Sequence, residues 1–104
     1  MRDIDKSDLR RRILEDGSED YTGLYEIIWS LNTHYPDIPR ETKVAAAGDV
    51  TLDLLRSGEV ALYTTRWASN EYVPVPPSEA LTVAQSAEAW GDPKDDPYVC
   101  YATP

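Results

Sequence analysis

Residues 39–67 read PRETKVAAAGDVTLDLLRSGEVALYTTRW, and this stretch decides the fold. Val44, Ala47, Thr51, Leu54 and Leu55 recur every three or four positions and share one face of a helix. Pro39 suits the first turn, where its missing N–H is not needed. The spacing therefore predicts a helix over 39–57, ended by Gly58, a residue at ease in the left-handed conformation that closes many helices. Val60, Leu62 and Thr64 then alternate with Ala61, Tyr63 and Thr65, which is strand periodicity. Gly48 lowers helix propensity by about 1 kcal/mol relative to Ala. Together with Ala45, Ala46 and Ala47 it suggests close packing against a neighbour.

Upstream, residues 5–16 are expected to form a first helix, with Leu9, Ile13 and Leu14 on one face and Gly17 as its stop. Residues 21–34 carry the clearest helical pattern: Tyr21, Leu24, Tyr25, Ile28, Leu31 and Tyr35, widened by Ile27 and Trp29. Pro36 closes it, because the residue before a proline is biased away from helix. Downstream, residues 71–75 can return as the second strand of a β-hairpin through the turn Ala68-Ser69-Asn70, until Pro76 ends pairing. A fourth helix is expected from an N-cap at Ser78 to Trp90, with Val83, Ala87 and Trp90 on one face. GDPKDDP, residues 91–97, reads as a loop, and Tyr98–Tyr101 as a short strand. The expected core is Leu24, Ile28, Leu31, Val44, Ala47, Leu54, Leu55 and Leu62.

The order is three helices, a hairpin, a helix and a strand, an α+β arrangement. The junction Leu54-Leu55-Arg56-Ser57-Gly58-Glu59-Val60 resembles the join between recognition helix and wing in winged-helix domains, over residues 5–75. The link between the second and third helices, Thr33 to Ile38, is longer than the usual helix-turn-helix turn. The expectation is a single winged-helix-like domain over 1–104, with a core at 5–75 and a C-terminal extension at 76–104. The stretches LYEIIWSLNTHYPDIP and DPYVCYATP also resemble a family of short actinobacterial proteins without an assigned function. That resemblance implies no catalytic or binding residues.

The 104 residues suffice for one core and not for two ordinary domains. Phe is absent, so three Trp and seven Tyr supply the large rings. Their polar tips favour core edges and interfaces. Residues 1–17 hold five basic and five acidic groups. The net charge of −9 therefore arises entirely in residues 18–104, with five basic and fourteen acidic groups. Such a surface repels phosphates and anionic membranes and favours basic partners, besides aiding solubility. Cys100 is the only cysteine, and MRDIDKSDLRRRI has no apolar signal core. A cytoplasmic setting is the expectation.

No phosphate loop, nucleophile elbow or metal spacing is present. His34 and Cys100, the single residues of their types, have no sequence-readable catalytic partner and are expected to be structural. The acidic clusters Glu15/Asp16/Glu19/Asp20 and Asp92/Asp95/Asp96 lack the alternation and closing Glu of a calcium loop. No cofactor, metal or enzymatic activity is expected. Aromatic anchors ringed by charge are common interface parts. The first reading is thus a protein-interaction or regulatory domain using Trp29, Tyr63, Trp67 and Tyr72, with a protein partner, basic by complementarity. The alternative is a DNA-binding regulator contacting nucleic acid through Arg40, Thr42, Lys43 and Arg66. Against it, region 37–75 carries four basic and six acidic groups, a net of −2. A third reading is an acidic mimic of nucleic acid. A homodimer is compatible with all three.

Overall fold

The computed structural model describes residues 4–66, 70–91 and 97–103. Among the described residues it is an α+β fold of four helices and a four-stranded antiparallel sheet. Helix α1 spans Lys6–Glu19 and is capped by the Asp5 carboxylate, which accepts from the Asp8 N–H at 3.1 Å. Leu9 and Ile13 form its buried stripe. Gly17 is not a stop, for the helix runs through it. A Cβ there would lie 2.7 Å from Tyr101 Cε2, so this glycine lets a buried ring reach the helix backbone.

The segment before α2 departs from the helical reading. Thr22–Gly23 form a short strand, β1, and α2 begins only at Leu24, running to His34. The Gly23 N–H donates to Glu26 Oε2 at 2.6 Å, fixing the turn into the helix. Leu24, Tyr25, Ile27, Ile28 and Leu31 are buried.

Helix α3 spans Arg40–Arg56. Its buried face is Lys43, Ala46, Ala47, Val50, Thr51 and Leu54, rotated by about one position from the face expected. Val44 and Leu55 are consequently half-buried at the flank rather than central. Gly58 has φ +77° and closes the helix, its N–H donating to the Leu55 carbonyl and that of Glu59 to Leu54. Gly48 serves no tight contact: a Cβ there would sit 4.0 Å from the Ala84 carbonyl, ordinary van der Waals distance.

Strand β2, Ala61–Thr65, pairs antiparallel with β3, Val73–Pro74, giving the expected hairpin. Pro74 is tolerated because β3 is an edge strand. The expected turn at Ala68 and Ser69 lies outside the described residues. Helix α4 spans Pro77–Gln85 with its cap at Pro76, not Ser78. The fixed φ of Pro77 suits the first helical position and sets the start there. The helix breaks at Ser86, and Ala87–Trp90 form a short 3-10 turn. The Trp90 indole N–H donates to the Ala84 carbonyl at 2.9 Å, which allows this large ring to be buried.

Strand β4, Tyr98–Ala102, is not an appendage. It lies between β1 and β2 in the order β1-β4-β2-β3, pairing Leu62 with Tyr101 and Tyr63 with Cys100. Val60, Leu62 and Tyr101 point into one core with Leu9, Ile13, Leu24, Ile28, Ala47, Leu54, Ala84 and Trp90. Of the residues expected in the core, Leu24, Ile28, Leu31, Ala47, Leu54 and Leu62 are buried. Among the described residues, no helix is long and apolar enough to cross a membrane.

Candidate protein-docking face

Alternation along the strands creates a second face. Tyr63 and Cys100 are register partners, as are Thr65 and Tyr98 and also Gly23 and Cys100, so all five positions lie opposite the helical core. Tyr21 flanks β1 and Tyr72 flanks β3, each on this outer side by the same alternation.

Aromatic rings cover that face. Tyr21 stacks on Tyr72 with centroids 3.8 Å apart and planes 7° from parallel, and meets Tyr63 edge-on at 5.0 Å. Tyr25 meets Tyr98 edge-on at 5.6 Å and Trp29 at 4.8 Å. Both arrangements are favoured by the ring quadrupoles. Gly23 makes room for this cover: a Cβ there would fall 2.3 Å from Tyr25 Cε1. Tyr25 is buried, while Trp29 is 49% and Tyr21 39% exposed. The rings are thus held from below and wet above.

The electrostatics are those of a neutral platform with an acidic surround. Burial pushes the Tyr72 phenol up, with the Asp20 carboxylate adding to it, and burial also raises Tyr98. Burial pushes the Cys100 thiol up to about 12, with Glu26 reinforcing it, so Cys100 is a protonated, unreactive packing group at neutral pH. Asp20 and Glu26 are both exposed. The platform thus combines the partly exposed rings of Tyr21 and Trp29 with carboxylates nearby.

Of the interface residues read from sequence, the structure places Tyr63 and Tyr72 in one ring cluster around Tyr21, and Trp29 in the neighbouring cluster around Tyr25. Trp67 lies outside the described residues, as do Asp92, Asp95 and Asp96. Tyr21, Tyr25 and Tyr98 were missed as members of this face. The strand alternation of Tyr98 and Cys100 was a usable signal for Tyr98. Tyr21 and Tyr25 sit at helical spacing and read as core.

Two of the residues read as nucleic-acid contacts are engaged in hydrogen bonds within the fold. Lys43 is only 4% exposed, and its Nζ donates to Asn32 Oδ1 at 2.9 Å. Arg40 donates to the Trp90 carbonyl at 3.3 Å. Thr42, in the first turn of α3, and Arg66, just after β2, are both exposed. Glu41, Asp49 and Asp53 are exposed on α3 itself. His34 Nδ1 lies 2.8 Å from the Ser30 carbonyl, and Arg12 approaches Nε2 at 2.9 Å. A proton on Nδ1 satisfies both contacts. Glu15 of the first acidic cluster pairs with Arg11. Among the described residues, no three His, Cys, Asp or Glu side chains converge to hold a metal ion. No protein-family model, curated protein or solved structure matches this chain.

Proposed function

We propose that this chain is a non-enzymatic, winged-helix-like protein-interaction domain that docks a basic partner on the outer aromatic face of its sheet. The observation that carries this reading is the ring cover itself: Tyr21 and Trp29 remain substantially exposed although their neighbours fix them in place. Pre-organised aromatic anchors lose little conformational entropy on binding. Cations stack favourably on such faces, and Asp20 and Glu26 add complementary charge. The order α1-β1-α2-α3-β2-β3 supports the winged-helix-like part of the reading, whereas β4, after α4, lies between β1 and the hairpin. The DNA-binding alternative is weakened by the use of Lys43 and Arg40 in internal hydrogen bonds.

The test is affinity capture from the source cells with three baits: the native chain, Tyr21→Ala/Trp29→Ala, and Arg40→Ala/Arg66→Ala. The reading expects one reproducible set of proteins that the aromatic variant loses and the arginine variant keeps. Retention by the aromatic variant overturns it. So does micromolar, salt-sensitive binding to duplex DNA that the arginine variant loses, since phosphate contacts produce that salt dependence.

A further inference from the structure

A groove of about 320 Å³ opens where α3, β2, β3 and α4 meet, away from the aromatic face. Leu55, Val60, Leu62, Val75, Ala80 and Leu81 line it, and Arg56 stands at its rim. Val60, Leu62 and Ala80 are buried core residues forming the floor, whereas Leu55, Val75 and Leu81 are half-buried. The space beside Gly58 is open, with nothing within 4 Å of where a Cβ would stand. Among the described residues, no carboxylate lines the groove.

The charge at the rim is unspent. Arg56 is exposed and makes no hydrogen bond or ion pair among the described residues. The nearest acid in sequence on the β side, Glu59, is held by Arg10 and by the Ser57 hydroxyl at 2.7 Å. Arg56 also borders the neighbouring cleft between α1 and α3, where Asp49 is paired with Lys6 and, among the described residues, neither Asp49 nor Asp53 forms an ion pair with Arg56. An apolar trough with a lone guanidinium at its lip matches a molecule with a hydrocarbon body and one anionic head. A cavity of about 150 Å³ holds one benzene. A groove roughly twice that size takes an aliphatic chain of about eight carbons. The acidic excess elsewhere does not forbid this, because charges farther than about 8 Å are largely screened at physiological salt.

We infer that this groove is a binding site for a small aliphatic monocarboxylate, its chain on Leu55, Leu62, Val75 and Leu81 and its carboxylate on Arg56. The site is independent of the docking face, so either can fail alone. The test is an amide NMR titration of the full chain with octanoate, octan-1-ol and octylammonium. Octanoate should shift the amides of Gly58, Ala61 and Leu81 saturably, and bind about tenfold more tightly than the alcohol. Octylammonium should bind most weakly. Arg56→Gln, a change at an exposed position, should reduce octanoate to the affinity of the alcohol without altering the unfolding midpoint. The inference is overturned if octanoate gives no saturable shift, if its shifts centre elsewhere, or if the alcohol binds the native chain equally well. Equal binding would mark the groove as a seat for an apolar side chain.

Discussion

The two faces of the sheet use the same strands to opposite ends. On the inner face Val60, Leu62 and Tyr101 meet four helices and are sealed from water. On the outer face Tyr63 and Tyr98 are half-buried, and the Tyr21 ring remains wet. The inner face is closed by packed volume. The outer is covered by flat rings in mutual contact, with Tyr25 against Gly23. In a chain without Phe, tyrosine suits this second task, because its ring covers apolar surface while its hydroxyl remains hydrated.

If that contrast is right, substitutions on the inner face should have the largest effects on stability. Leu62→Ala is expected to lower the unfolding free energy by about 2–5 kcal/mol, as measured by denaturant titration. Gly17→Ala should follow, at about 1–3 kcal/mol, because the added methyl meets a buried ring and the Thr103 backbone rather than a mobile side chain. A loss below about 0.5 kcal/mol would mean that Tyr101 can move aside.

Alkaline pH probes both faces at once. Burial raises the phenols of Tyr101 on the inner face and of Tyr72 and Tyr98 on the outer face, and raises the Cys100 thiol. The unfolded chain then releases these protons at lower pH than the native one. Stability is therefore fully present below the ordinary values, about 8.5 for Cys and 10 for Tyr, and should fall as pH rises through them. A melting temperature constant from pH 8 to about pH 11 would contradict this. A smaller effect of opposite sign is expected at Gly48, on neither face of the sheet. Gly48→Ala fits without crowding and should raise stability by about 0.5–1 kcal/mol in the same denaturation assay.

Much of the inner face was legible in the sequence, because three helices and β2 announce themselves by local periodicity. Leu24, Ile28, Leu31, Ala47, Leu54 and Leu62 follow directly from that spacing. The rotation of α3 was hidden because Lys43 counts as polar. Its long stem can be buried while the ammonium reaches Asn32. The outer face was less legible. Strand β1 has two residues and exists through pairing with Cys100 and Tyr101 at the far end of the chain. Without β1, Tyr21 and Tyr25 look like rungs of one helical stripe. Alternation in Tyr98–Tyr101 identifies a strand but not its neighbours, so the central place of β4 could not be read locally. Trp29, Tyr63 and Tyr72 were legible as candidates, but the rings that hold them were not.

The central claim is that the outer rings form a surface for binding, not a second core. Denaturant unfolding of Tyr21→Ala/Trp29→Ala beside Leu62→Ala tests it most directly. Stacked and edge-on ring pairs contribute about 0.5–1.5 kcal/mol beyond area burial, and both rings are already well exposed. The double variant should therefore stay cooperatively folded and lose no more than about 2 kcal/mol, clearly less than Leu62→Ala. A loss equal to or greater than that of Leu62→Ala would show that the aromatic face holds the fold together, and would contradict its assignment as a docking surface.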